Sequence, residues 1–132
     1  MQAHEFMHHD ISEFPLVWAR HDAPETHPDV WIAEMEDLLG RDQCFVLLVD
    51  MNAQTGSMDR QAQMTWQMTN LEELKRLCLA FIAIERDPVA LEKLQHRSAR
   101  MQEKLGLRFR AAASPEKVKA IGREMIALTL PQ

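Results

Sequence analysis

Cys44-Phe45-Val46-Leu47-Leu48-Val49-Asp50 is an unbroken apolar run that ends on a carboxylate. Apolar residues at both parities leave no polar face, so a strand of this kind must be covered on both sides. That requirement selects a mainly parallel sheet layered with helices over a half-exposed antiparallel one. A second run, Leu77-Cys78-Leu79-Ala80-Phe81-Ile82-Ala83-Ile84, has the same character. Between the two, residues 58–76 read as one helix. Met64, Met68 and Leu71 stand at i, i+4 and i+7, flanked by Ala62, Trp66 and Leu74.

The remaining segments fall into the same alternation. Phe14-Pro15-Leu16-Val17-Trp18-Ala19-Arg20 reads as a strand, with Pro15 confined to its first residues because proline cannot donate to a ladder. Pro28 and Asp29 open a helix that carries Trp31, Met35, Leu38 and Leu39 at helical spacing, and Gly40 is expected to end it as the C′ residue. Asp87-Pro88 opens another, with Leu91, Leu94, Ser98, Met101 and Leu105 on one face and Gly106 as its stop. Leu107, Phe109 and Ala111 alternate with Arg108 and Arg110, which predicts a half-buried strand near a sheet edge. Ser114-Pro115-Glu116 combines an N-cap, a first-turn proline and an acid, and Val118, Ile121, Met125 and Leu128 give the following helix its buried stripe. Residues 1–13 form an N-terminal arm or edge strand, with the strand expected over residues 2–7. The expectation is one α/β domain over residues 1–132: a four- or five-stranded, mainly parallel sheet with four helices.

Charge and composition narrow the function classes. The chain carries a formal charge of −5, split unevenly: residues 1–60 hold 12 Asp+Glu against 3 Arg, and residues 61–132 hold 8 against 12 Lys+Arg. This polarity favours an acidic face meeting a basic one, in a partner or a second copy. An acidic chain without interleaved aromatic and basic residues argues against nucleic-acid binding. No apolar run approaches the length of a membrane span. Residues 1–10 show no basic stretch followed by an apolar one, and Cys44 and Cys78 open apolar runs, so two buried thiols in a cytoplasmic protein are expected.

The order of elements resembles the STAS and SpoIIAA-like domains, small bacterial α/β domains. The phrases Phe14-Pro15-Leu16-Val17-Trp18, Phe45-Val46-Leu47-Leu48-Val49-Asp50 and Phe109…Ala113-Ser114-Pro115-Glu116 are similar to proteobacterial members of that group. Members that antagonise anti-sigma factors carry a phosphorylatable serine in an Asp-Ser-Ser-Gly-like motif after the central strand. Here the corresponding place reads Thr55-Gly56-Ser57-Met58-Asp59, so Ser57 occupies the region without the motif. The resemblance implies a regulatory module that binds a partner protein or a nucleotide; for some relatives it implies a lipid or other apolar ligand.

The residues themselves offer several candidate sites. Arg20, His21 and Asp22, then Asp50 and Asn52, then Glu85, Arg86 and Asp87 follow three strands, and parallel strands bring such ends to one edge of the sheet. Met51, Met58, Met64 and Met68 with Trp66 make an adaptable apolar surface suited to a partner helix, a second copy or a small apolar ligand. Lys93, Arg97, Arg100 and Lys104 share one helix face, followed by Arg108 and Arg110. His4, His8, His9 and Asp10 have metal-donor chemistry but no ligand spacing, so no metal is assigned. There is no glycine-rich phosphate loop and no Gly-x-Ser-x-Gly elbow. These absences weigh against an enzyme and imply no cofactor. The ligand- or partner-binding residues expected are Asp50, Asn52, Ser57, Met58, Met64, Trp66, Met68, His21 and Arg86.

Overall fold

A computed structural model of the chain describes residues 8–20, 28–51 and 60–129. The elements run β1 (His9–Glu13), β2 (Leu16–Ala19), α1 (Pro28–Gly40), β3 (Phe45–Asp50), α2 (Arg60–Thr69), α3 (Leu71–Leu77), β4 (Cys78–Ile84), α4 (Pro88–Leu105), β5 (Phe109–Ala112) and α5 (Pro115–Thr129). The five strands form one sheet in the order β1-β2-β3-β4-β5. β1 pairs antiparallel with β2, and every other pairing is parallel.

This order dictates how the layers fill. From β2 to β5 each crossover advances one place in the same direction. Crossovers of one hand repeated without reversal bring their helices to one face. Accordingly Trp31, Met35 and Leu38 of α1, Trp66 of α2, and Leu74 and Leu77 of α3 share a core with Val17 and Phe45. The opposite face, made of Leu16, Val46, Leu48, Ala80, Ile82 and Ile84, packs on Val118, Ile121 and Met125 of α5. α5 follows the last strand and is free to wrap round to that face. Phe45, Val46 and Leu48 are fully buried, on alternating sides of β3. Each contributes about 1.5–3 kcal/mol by leaving water.

Among the described residues the helix count is five, against the four expected, because the one helix expected over 58–76 is divided into α2 and α3. Asn70 separates α2 from α3 with φ −108° and ψ 23°. Its side-chain Nδ2 and its own N–H both donate to the Trp66 carbonyl, at 2.9 and 3.0 Å. An asparagine that competes in this way for a backbone acceptor ends regular helix. The break re-aims the chain so that Leu74 and Leu77 reach the core.

Most of the other terminators act as their chemistry requires. Asp87 accepts the Ala90 N–H at 2.8 Å, and the Ser114 hydroxyl accepts the Lys117 N–H at 3.2 Å. Gly106 takes a left-handed φ of 78° and donates to the Gln102 carbonyl. Gly40 differs from its expected C′ role: it is the last residue of α1, and Asp42 takes the positive φ, 54°. Pro15 stands just before β2, and its carbonyl accepts the Val46 N–H at 2.9 Å. The edge strand lies at His9–Glu13; the expected strand over residues 2–7 lies outside the described residues.

Gly122 lets α5 approach the sheet. A Cβ there would stand 2.8 Å from Leu16 Cδ2 and 3.4 Å from Val46 Cγ1, both buried side chains. Overpacking costs about 1–3 kcal/mol, and the better helix propensity of alanine returns about 1 kcal/mol. Gly122→Ala is therefore expected to lower stability by up to about 2 kcal/mol in urea unfolding, and Gly122→Leu by more.

Candidate functional site

β3 and β4 end side by side, with Asp50 opposite Ile84. Two residues beyond β4, Arg86 Nη1 donates to both oxygens of Asp50, at 3.0 and 3.2 Å. The pair is partly solvated, so water screens it and it adds little to stability. The Asp50 carboxylate raises the Arg86 pKa above its ordinary value and holds the guanidinium in its charged form. Glu85 and Asp87 are also in use: Glu85 Oε1 accepts the Asp87 N–H, and Asp87 caps α4. Parallel strands thus do bring Asp50 and Arg86 together, as a tie between two strand ends. His21, Asn52, Ser57 and Met58 lie outside the described residues.

α2 separates residues that helical spacing had grouped. Trp66 points inward and is 7% exposed. Met64 and Met68, one turn apart on the other side, are 46% and 48% exposed. Gln61, Thr65 and Thr69 are exposed beside them. Met51, after β3, is also exposed. Trp66 stacks edge-on against Trp31 at 5.5 Å, and its indole N–H has no hydrogen-bond partner among the described residues. So Trp66 anchors α2 to the core, while the two methionines form an outward ridge.

The most heavily buried ionisable group is one the sequence reading passed over. Glu34 is fully buried in α1, one turn after Trp31. Its two oxygens lie 3.0 and 3.1 Å from the His8 N–H, and Oε1 lies 2.8 Å from Nδ1 of the buried His9. His9 in turn lies against Trp31, with ring centroids 6.1 Å apart. The signal was present as a carboxylate at i+3 from Trp31 and i−4 from Leu38, inside the apolar stripe. A charge there must find donors. Glu34 finds them at the N-terminal end of β1 and so fastens that strand to α1. Burial lowers the pKa of His8 below its usual 6.5, opposed by the smaller pull of Glu34.

Cys78 is buried, and burial pushes its thiol up to about 12, so it stays protonated and unreactive at neutral pH. Among the described residues, no three His, Cys, Asp or Glu side chains are arranged to hold a metal ion. Among them, too, no helix is long and apolar enough to cross a membrane. Comparison with family profiles, curated proteins and solved structures finds no match for this chain.

Two outcomes test the Glu34 clasp. Glu34→Ala strands buried donors and is expected to cost about 3 kcal/mol in urea unfolding, with Glu34→Gln costing less because one acceptor oxygen remains. His8 prefers to be neutral when folded. Its contribution is therefore full above about pH 6.5 and declines as pH falls below that value, where the unfolded chain binds the proton more readily. The stability lost between pH 7.5 and 5.5 is expected to be smaller in His8→Gln than in the parent protein.

Proposed function

We propose that this chain is a non-enzymatic interaction module of a bacterial cytoplasm, STAS- or SpoIIAA-like in kind, which docks a partner protein through the outer face of α2. The observation that carries the reading is the division within α2. Met64 and Met68 stand about half exposed at i and i+4 while Trp66 holds the opposite side in the core. Unbranched, polarizable methionines conform to varied apolar partners. A ridge of two such residues rimmed by Gln61, Thr65 and Thr69 suits the apolar stripe of a partner helix. It is narrow for a permanent dimer, which buries a broad apolar core. Support for the family kinship is the sequential parallel order of β2 to β5 with its antiparallel edge strand.

Binding of a small apolar ligand by the same residues is less well supported. Met64 and Met68 face away from Trp66, so the three do not line one pocket.

The test places a photo-crosslinking amino acid at Gln61 or Thr65 in the native host. A discrete crosslinked protein is expected, and Met64→Glu with Met68→Glu should reduce it at least tenfold without lowering the melting temperature. Crosslinking that is unchanged in the double variant would remove α2 as the docking face.

A further inference from the structure

The cleft between α4 and β5 is separate from the α2 face. It has a volume of about 290 Å³ and is lined by Gln95, Ser98, Ala99, Gln102, Phe109, Arg110 and Ala111. That is just below the usual range for ligand sites, about 300–1,000 Å³, and fits only a small molecule. Its walls have ordinary structural reasons. α4 packs on β5, Gln95 donates to the Ala111 carbonyl at 3.2 Å, and Phe109 stacks on Phe81 with centroids 5.2 Å apart and planes 17° apart. The small side chains of Ser98 and Ala99 leave the space beside Phe109.

Two groups in the cleft have more hydrogen-bonding capacity than the fold uses. Arg110 is half-buried, whereas Lys93, Arg97, Arg100 and Lys104 on the same helix-and-strand unit are exposed. Its Nη1 donates to Gln102 Oε1 and to the Phe109 carbonyl, both neutral acceptors. Among the described residues, Nε and Nη2 make no hydrogen bond and no carboxylate pairs with this guanidinium. These two nitrogens form the side-on fork that matches both oxygens of a carboxylate. The second group is the Ser98 hydroxyl. Ser98 is 8% exposed, lines the cleft and makes no side-chain hydrogen bond. A serine in mid-helix ordinarily turns back to the carbonyl four residues earlier; this one does not.

We infer that the α4–β5 cleft binds a small carboxylate with a flat apolar body, its carboxylate on the Nε–Nη2 edge of Arg110, its body against Phe109, and Ser98 hydrogen-bonding one of its polar atoms. Gln102 holds the guanidinium from the far side, so the fork is oriented before the ligand arrives. A cation that is permanently charged and only half hydrated gains more from an anion than a fully exposed lysine or arginine does. Phe109 supplies the apolar contact that a bare inorganic anion would not use.

The probe is sodium benzoate, with benzamide as its neutral counterpart, titrated into the full chain and followed by amide NMR shifts. Benzoate is expected to give saturable shifts at Ser98, Ala99, Gln102, Arg110 and Ala111, and benzamide to bind at least tenfold more weakly. Arg110→Gln should weaken benzoate at least tenfold, and Ser98→Ala by a smaller factor. Ala99→Leu, at an exposed helical position, narrows the cleft mouth, and it decides the matter should Arg110→Gln fail to fold. Met68→Glu should leave benzoate binding unchanged, which separates this site from the α2 docking face. Absence of saturable shifts with benzoate, equal binding of benzamide, or benzoate binding unaffected by both Arg110→Gln and Ala99→Leu would overturn the assignment.

Discussion

Both faces of β3 are covered, and by helices that arrive for different reasons. Phe45 faces α1, α2 and α3, while Val46 and Leu48 face α5. The first group is carried there by crossovers that advance steadily across the sheet. The second face has no crossover helix to cover it. Without α5, Leu16, Val46, Leu48, Ile82 and Ile84 would form one apolar surface open to water, which is far more costly than scattered exposed side chains. Gly122 permits that cover by removing the Cβ that would press on Leu16. The double coverage demanded by one heptapeptide therefore fixes where the last helix must go and what one of its residues must be.

A sheet that ends in open strands needs protection at both edges. On one side β1 runs antiparallel and its approach is held by Glu34 of α1 through the His8 N–H and the His9 ring. On the other side β5 is short, carries Arg110, and has one carbonyl capped by Gln95 of α4. The two solutions differ in burial. Glu34 is sealed in, so its donors are obligatory, and the arrangement makes β1 depend on α1 for its position. Arg110 sits at a margin that water reaches, and there a group can keep unused bonding capacity at modest cost. The same physical task leaves a rigid clasp at one edge and an adaptable cleft at the other.

What the sequence made legible was what local chemistry decides. The two doubly covered strands, the caps at Asp87 and Ser114, and the glycine stop at 106 follow from side chains acting within a turn or two of themselves. The meeting of Asp50 with Arg86 was legible too, because parallel strands share an end. Less legible was anything set by competition or rotation. Asn70 interrupts a helix that continuous apolar spacing favours: its φ and ψ leave helical geometry while its side chain shares the Trp66 carbonyl with its own N–H. Within α2, Trp66 rather than Met64 and Met68 turns inward. Methionine and tryptophan are both apolar, so hydropathy alone cannot rank them; the larger ring fills the space beside Trp31, and the methionines take the outside. Glu34 was hidden for the opposite reason. A carboxylate on an apolar stripe reads as an interruption until the donors of β1, distant in sequence, are seen around it.

The perturbed ionisable groups point the same way. Active sites tune such groups for chemistry, but here each large perturbation has a structural cause already satisfied. Burial is the main cause that lifts Cys78 out of reactive range. Burial lowers His8 at the clasp, and the partnership of Asp50 with Arg86 joins two strand ends. Among the described residues, most of the interior polar chemistry is spent on holding β1, the strand ends and the helix starts; the Trp66 indole N–H and the Ser98 hydroxyl are exceptions. Nearer the surface, two half-exposed methionines on α2 and the open fork of Arg110 beside α4 also have contacts to make. Both are groups whose contacts a second molecule would complete, and the recognition roles proposed for this chain rest on them.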